Sequence, residues 1–347
     1  MDFRDLYRRH QTGLEDFWGR RENRASHVVE FRLFGRRARL SSNQPSVLAA
    51  AESLQPLYSQ APDTDEPPFS VQLIVDQPSS DPGPVPGDPG LFLQYTGSDD
   101  WLNMHLGKWG NCFAHLAEGW AVAVLAPQLA DQPEQVARSL LNTVFTNFFT
   151  RHGFAMLHAT CLVRENRAVL LMAPHGIGKS TTALRLILQG YAALSDSMIY
   201  LTQRGGQLQL TGFPVGRIKL REDMLAEFPQ VSAFLTPEVV RGETKYSLDL
   251  RRFAPGLVCD RAVFPEHIDL CLVQRDHSGK TRLARASPES LYPAIMENSL
   301  HYDTQALWER NLAQIERLVE KARCHRLEIG DDAQEILAAV AGFWDLP

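Results

Sequence analysis

The sequence has few cysteines, few lysines and no long apolar run. Its five cysteines are scattered, odd in number and never spaced as C-x-x-C, so disulfide and zinc frameworks are excluded and buried, reduced thiols are expected. No apolar stretch approaches the roughly 18 residues that cross a bilayer. The first ten residues, MDFRDLYRRH, lack the apolar core of a signal peptide. We therefore predict a cytoplasmic protein that makes no membrane contact.

Basic charge is also scarce, and acidic residues are concentrated in one stretch. The 347 residues include 35 Lys+Arg and 41 Asp+Glu, for a net charge of −6, and only 6 of the basic residues are lysines. Residues 51–135 hold 12 acidic residues and a single basic one, Lys108, for a net charge of −11. This balance argues against nucleic-acid binding. It suggests the hypothesis that the first part of the chain recognises a basic partner.

Length and composition predict two domains. At about 150 residues per domain, a chain of 347 residues that is 44% hydrophobic can bury two cores. Residues 1–150 are predicted to form a smaller α+β domain of unassigned role, built largely on antiparallel strands. Residues 151–347 are predicted to form an α/β domain with a mixed sheet. The boundary is expected in a helix that ends near Arg151.

Hydrophobic periodicity predicts the elements of both domains. Strands are expected within residues 28–40, 69–75, 91–95, 104–125, 156–163, 168–172, 191–194, 198–210 and 324–329. Helices are expected over residues 44–60, 133–151, 179–188, 304–323 and 332–343.

A glycine-rich segment between a predicted strand and a predicted helix carries the strongest motif, APHGIGKST at 173–181. Glycines can turn successive backbone N–H groups inward, and a helix N-terminus favours an anion, so the segment is typical of an oligophosphate site. Lys179 would lie near the β/γ oxygens, and the Ser180 hydroxyl would bind Mg²⁺. The residues predicted to bind nucleotide are Pro174, His175, Gly176, Ile177, Gly178, Lys179, Ser180 and Thr181. The alternative is a plain glycine turn capping a helix, which would not require a lysine followed by two hydroxyls.

A carboxylate follows the next predicted strand. Asp196 comes 17 residues after Lys179, at the end of an apolar strand that begins after Gly190. In a parallel arrangement this strand end would lie beside the glycine loop. A strand-terminating Asp in a turn is the alternative, but the upstream loop makes Asp196 the first candidate for a catalytic role.

The run from Leu157 to Tyr200 resembles the catalytic domain of HPr kinase/phosphorylase and its relatives, which share the P-loop fold of phosphoenolpyruvate carboxykinases. His158 matches the histidine of a family strand, Gly190 the glycine that ends its helix, and Asp196 the first acid of its acidic pair. The loop is matched by Gly176, Gly178, Lys179 and Ser180. The resemblance implies a P-loop, mixed-sheet kinase domain that uses ATP and Mg²⁺. It also implies that Asp196 takes the proton from an acceptor hydroxyl, while Lys179 and a Ser180-bound Mg²⁺ hold ATP.

Three residues depart from the family pattern. Ala173 replaces the first loop glycine, His175 replaces the usual serine, and Ser197 stands where the second acid belongs. The last change removes a negative charge from the metal site, where Ser180 and Asp196 are the expected ligands. No C-terminal signature of true HPr kinases is present, so HPr itself is not the expected substrate.

Basic residues beyond the loop can assist phosphoryl transfer. Arg217, Lys219 and Lys245 are candidate phosphate or substrate contacts, with solvated surface positions as the alternative. His158 is either a phosphate contact or a core histidine, and we include it with Asp196 and Lys179 among the predicted catalytic residues. The leading hypothesis is an ATP-dependent kinase that phosphorylates a hydroxyl, foremost a serine of a protein or peptide. A small-molecule hydroxyl kinase, a non-catalytic ATP-binding regulatory module and a homo-oligomeric state stay open.

Overall fold

The computed structural model describes residues 26–77, 80–174, 176–240, 242–276, 278–299, 304–330 and 332–345. Within these ranges the chain is mixed α/β, has several sheets and divides into two compact units. Arg37–Leu54 and Glu66–Phe145 belong to the first unit, whereas Arg32–Arg36, Gln55–Asp65 and the chain from Thr146 onward belong to the second. The division into domains 1–150 and 151–347 stays a prediction. The predicted lack of a signal peptide concerns residues that lie outside the described ranges.

The first unit is built on one sheet. Its described strands are β1 (His27–Leu33), β2 (Arg36–Ser42), β3 (Phe69–Val75), β4 (Leu93–Ser98), β5 (Trp101–Leu106), β6 (Gly110–His115) and β7 (Trp120–Leu125). They lie in the order β1-β2-β3-β7-β6-β5-β4. The strands from β4 to β7 pair antiparallel, as predicted, but β3 is parallel to both β2 and β7. The sheet is therefore mixed, because the β4–β6 meander separates β3 from β7 along the chain.

Helical segments accompany this sheet. They are α1 (Ala49–Leu54), α2 (Pro127–Ala130), α3 (Pro133–Gln135), a π-helical stretch (Val136–Leu141) and α4 (Asn142–Arg151). The helix predicted over 133–151 is confirmed as the run from α3 to α4. The single helix predicted over 44–60 is wrong, since 3₁₀ turns at Pro45–Leu48 and Gln55–Leu57 flank a short α1. Pro56 explains the second break, because it lacks an N–H and disfavours α geometry at the residue before it.

One face of the first sheet is buried. Along β7 buried and half-buried residues alternate, as expected for a sheet that is covered on one side. Phe145, on α4, is fully buried, and its ring centroid lies 6.2 Å from that of Phe69 on β3. Phe145 of the helical run thus packs on the buried face.

The second unit contains three described sheets. Their strands are β8 (Ala155–Leu157), β9 (Thr160–Arg164), β10 (Arg167–Met172), β11 (Ala192–Ser195), β12 (Met198–Arg204), β13 (Gln207–Phe213), β14 (Arg217–Leu220), β15 (Leu235–Val240), β16 (Glu243–Asp249), β17 (His267–Arg275), β18 (Arg282–Arg285) and β19 (Ala322–Ile329). The main sheet has the order β11-β9-β10-β17-β19-β18. The smaller sheets have the orders β13-β12-β8 and β14-β16-β15.

Helices pack on both faces of the main sheet. The longer ones are α5 (Lys179–Leu188), α7 (Pro288–Asn298), α8 (Gln305–Lys321) and α9 (Ala333–Asp345), and α6 (Leu250–Phe253) is a single turn. Leu170 of β10 packs with α7 and α8, whereas its neighbour Leu171 packs with α5 and α9. The helices predicted over 179–188, 304–323 and 332–343 are confirmed as α5, α8 and α9 within a few residues, and the strand predicted over 324–329 is part of β19, whereas α6 and α7 were not predicted. None of the helices that the structure describes is long and apolar enough to span a membrane.

The strand predicted over 156–163 is in fact two strands. The chain leaves the small sheet at Leu157 and enters the main sheet at Thr160, so His158 lies between β8 and β9 rather than within a strand. Its backbone N–H donates a 2.7 Å hydrogen bond to the carbonyl of Asn298. The break therefore places His158 at the end of the main sheet where β9 begins, which is the edge formed by strand ends.

Strand directions bring three chain segments to that edge. β9 is antiparallel to both β10 and β11, so β10 and β11 run in the same direction on either side of it. The carboxyl ends of β10 and β11 therefore meet the amino end of β9. The glycine loop follows β10, Asp196 follows β11, and His158 precedes β9.

A buried carboxylate ties the far strands of the main sheet together. Asp269 on β17 is fully buried and accepts hydrogen bonds of 2.9 and 3.0 Å from the Arg323 guanidinium on β19. Nε2 of His325 lies 3.0 Å from the same carboxylate. Burial alone would raise the pKa of Asp269, but the hydrogen bonds from His325 and Arg323 prevail and hold the pKa below its usual value.

Candidate active site

The glycine loop requires glycine at two positions. Gly176 has φ 83° and Gly178 has φ 110°, which is the left-handed region that other residues avoid. A Cβ on Gly178 would also lie 3.2 Å from Cδ1 of Ile329. The carbonyl of Gly178 accepts a 2.8 Å hydrogen bond from the N–H of Thr182, which starts α5. The loop therefore leads from β10 directly into a helix N-terminus, as predicted, while His175 lies outside the described residues.

Lys179 lies in the first turn of α5. Its Nζ is 3.0 Å from Nε2 of His158, whose side chain is exposed at the sheet edge. Because an ammonium group only donates, Nε2 of His158 accepts this hydrogen bond. Burial lowers the pKa of Lys179, and the nearby Asp196 carboxylate partly offsets that effect. The structure thus brings together Lys179, His158 and Asp196, all of which were predicted as catalytic.

Asp196 is the buried acid of the site, with 8% of its surface exposed. The Thr160 hydroxyl donates to its Oδ1 at 2.7 Å, and the backbone N–H of Lys219 donates to its Oδ2 at 3.3 Å. Burial raises the pKa of Asp196; Lys179, Thr160, the Ser180 side chain and the Lys219 N–H counteract this without cancelling it. A carboxylate whose pKa is moved toward neutrality is suited to accept a proton from an alcohol.

Two oxygen donors for a metal ion lie side by side. The Ser180 side chain lies close enough to the Asp196 carboxylate to lower its pKa, so both predicted ligands converge on one place. Across the described residues, no three His, Cys, Asp or Glu side chains form a metal-binding group. Mg²⁺ does not need such a group, because it commonly takes one or two protein oxygens together with phosphates and water. The residues present therefore fit a Mg²⁺ that arrives with a nucleotide.

The three candidate cations beyond the loop are paired with glutamates. Nζ of Lys219 lies 3.3 Å from Glu238, and Nη1 of Arg217 lies 3.7 Å from the same carboxylate. Nζ of Lys245 lies 3.8 Å from Glu243. Lys219 nevertheless contacts the site directly, through its backbone N–H to Asp196. Contact of these three side chains with phosphate or substrate stays a prediction.

The turn after β11 is held by a serine on each side of Asp196. Oγ of Ser195 donates to the carbonyl of Phe213 at 2.8 Å and accepts the backbone N–H of Ser197 at 3.1 Å. Ser197, which replaces the second acid of the resembled family, therefore contributes its backbone to the turn. These hydrogen bonds fix the position of Asp196.

Thr160, Glu238 and Arg221 are site residues that the sequence reasoning missed. Thr160 follows His158 by two residues and is the first residue of β9, where a hydroxyl next to the predicted histidine is a weak signal. Glu238 and Arg221 have no local signal, because the pairing of β14 and β15 with β16 brings Glu238 to Arg217 and Lys219, and Arg221 reaches the loop from the end of β14. Nη1 of Arg221 lies 3.8 Å from the position that a Cβ on Gly176 would occupy.

No protein-family model matches this chain, and no curated protein sequence does either. Among solved structures, the chain is similar to the HPr(Ser) kinase/phosphatase from Coxiella burnetii at 18% sequence identity. The match covers 47% of this chain and 90% of the other, with a TM-score of 0.26. A likeness at this level carries no functional inference, so the function has to be inferred from the site itself.

Proposed function

We propose that this chain is an ATP-dependent kinase that transfers the γ-phosphoryl group to a hydroxyl, foremost the hydroxyl of a serine in a protein or peptide. One observation carries the proposal. A buried carboxylate, Asp196, and a half-buried ammonium group, Lys179, lie together where a glycine loop with two left-handed residues opens a helix. This combination offers an anion cradle, a phosphate cation and a base within one site.

Each residue has a role that its contacts support. The loop N–H groups and Lys179 bind the phosphates, and His158 holds the Lys179 ammonium in place. Asp196 accepts the proton of the acceptor hydroxyl, whose oxygen forms a bond to the γ-phosphorus as the bond from that phosphorus to the β–γ bridging oxygen breaks. The products are the phosphorylated acceptor and ADP. Mg²⁺, held by Ser180 and Asp196, would supply charge neutralisation at the phosphates.

A second candidate is a regulatory module that binds ATP without transferring it. The observation in its favour is Ser197, which leaves the turn after β11 with one carboxylate where the resembled kinases have two. A third, a kinase acting on a small-molecule hydroxyl, uses the same residues and differs only in the acceptor.

The proposed function is tested by separating nucleotide binding from transfer. Isothermal titration with MgATP measures binding, and γ-labelled ATP with a cell extract measures transfer. We expect Asp196→Asn to abolish transfer and to weaken MgATP binding only in part, because its amide oxygen can still contact Mg²⁺, and Lys179→Met to weaken both. Lys321→Met, which removes an exposed lysine at the end of α8, is the matched control and should change neither.

The outcomes distinguish the three candidates. A fully active Asp196→Asn variant contradicts the role of Asp196 as the base. Tight MgATP binding without transfer to any acceptor favours the regulatory module. Label that appears only in low-molecular-weight products favours the small-molecule kinase.

A further inference from the structure

A second cation lies at the glycine loop, and the function proposed above does not use it. Arg221 follows the last residue of β14, and its Nη1 is 3.8 Å from where a Cβ on Gly176 would lie. Two residues earlier, the backbone N–H of Lys219 donates to Asp196. One end of β14 therefore contacts the buried acid, while the next side chain along reaches the loop.

The ion pair made by Arg221 differs from those of its neighbours. Arg217 and Lys219 share Glu238, whose side chain is only 15% exposed. Nε of Arg221 instead lies 3.2 Å from Oδ1 of Asp223, and the two side chains are 61% and 60% exposed. An exposed pair of this kind contributes little free energy and is easily exchanged. The guanidinium can thus leave Asp223 for a stronger anion without a large penalty.

We propose that Arg221 binds the γ-phosphoryl group during transfer, exchanging its ion pair with Asp223 for the phosphoryl oxygens. The proposal rests on the proposed kinase function. Charge spreads over the equatorial oxygens while the bond to the β–γ bridging oxygen breaks and the acceptor oxygen bonds to phosphorus. A planar guanidinium that offers several N–H donors matches those oxygens better than an ammonium group does. Asp223 acts as the resting partner that competes with the phosphoryl group.

This role separates two nucleotide states that can be measured without knowing the acceptor. MgADP lacks the transferring group, whereas MgADP with aluminium fluoride mimics it. Arg221→Ala should lower the affinity for MgADP–aluminium fluoride at least about tenfold while leaving MgADP within about twofold. An arginine supplied to a transferring phosphoryl group can contribute about 10³-fold in rate, and solvent exposure makes the smaller effect the expectation here.

Three further variants sharpen the test. Arg221→Lys keeps the charge but loses the planar group with several N–H donors, so we expect it to recover only part of the lost affinity. Asp223→Asn frees the guanidinium and should strengthen binding of the fluoride complex a few-fold. Arg317→Ala, an exposed arginine on α8, is the control and should match the unchanged protein in both titrations. Circular dichroism of each variant verifies folding.

The results separate failure of this inference from failure of the proposed function. If the unchanged protein binds MgADP and Arg221→Ala weakens both complexes equally or neither, the role of Arg221 in the transferring state is overturned and the kinase proposal stands. If the unchanged protein binds neither complex, both proposals are overturned. Selective loss of the fluoride complex supports the assignment.

Discussion

The hydroxyl of Thr160, the first residue of β9, donates a 2.7 Å hydrogen bond to Oδ1 of Asp196, which follows β11. These strands are adjacent and antiparallel, so the bond joins the start of one strand to the end of the next. This hydrogen bond stabilises the charged carboxylate and lowers its pKa. It thereby opposes burial, which raises the pKa and is the dominant influence. The orientation and the proton affinity of the proposed base therefore depend in part on one buried hydroxyl.

Replacing Thr160 with valine removes this donor and keeps the shape of the side chain. Because hydrogen bonds to a charged group contribute about 1.5–3 kcal/mol, the pKa of Asp196 should rise further. A base must be deprotonated, so activity is lost as the pH falls through this pKa. The acidic limb of the pH–rate profile should then move to higher pH in Thr160→Val. Thr160→Ser retains the donor and should keep the original profile; an identical profile in both variants would contradict this role.

Replacing His158 with leucine removes the acceptor that lies 3.0 Å from Nζ of Lys179. The ammonium group should then sample more positions, and the affinity for MgATP should fall by several-fold, corresponding to about 1 kcal/mol. Titration calorimetry measures this change. His158→Gln offers an acceptor again and should recover part of the affinity. If both variants bind MgATP as tightly as the unchanged protein, the role of His158 is purely structural.

Alanine at Gly178 should distort the glycine loop. The residue would have to keep φ 110° and place its Cβ 3.2 Å from Ile329, so we expect weaker MgATP binding. Gly190→Ala is the matched control, because φ is 93° there and the space around it is open. Both variants should lose stability of about 1 kcal/mol or more in urea unfolding, from backbone strain alone. Only Gly178→Ala should lose nucleotide affinity; equal affinity in the two variants would refute the loop assignment.

Replacing Asp269 with alanine should destabilise the second unit strongly. It would leave Arg323 and His325 without the buried carboxylate that they share, a change that costs about 3–5 kcal/mol in comparable sites. The folded-state pKa of Asp269 is below its unfolded value, so its contribution is present above the unfolded pKa and lost as the pH falls through the folded one. Urea unfolding at neutral and acidic pH measures both effects. The variant should lose stability mainly at neutral pH, and Glu316→Gln on the exposed face of α8 should lose little at either.

The sequence was most informative where the chemistry is local. The strand, glycine loop and helix around Gly178 could be predicted because they are consecutive, and each has its own signal. Asp196 could be placed at a strand end for the same reason. Thr160 could not be assigned to Asp196, since their contact depends on the pairing of β9 with β11.

Longer-range features escaped prediction for a related reason. The break at His158 separates two sheets, yet the residues around it are mostly apolar and resemble one continuous strand. The parallel pairs made by β3 depend on how distant strands cross over, which periodicity does not encode. Arg221 approaches the loop only because β14 lies beside Asp196. In each case the missing information was a partner in space rather than a residue type.

The distance along the chain between the site residues and β17 has a consequence for how this protein is made. His158, Lys179 and Asp196 lie within a span of 39 residues, whereas β17, the other neighbour of β10, begins at His267. During synthesis from the N-terminus, the residues of the site therefore emerge well before β17 and β19 can complete the sheet. Local contacts form early, and pairing between distant strands comes later. A nascent chain stopped short of β17 would thus contain all three residues, while the side of β10 that pairs with β17 would stay open to a chaperone or a protease.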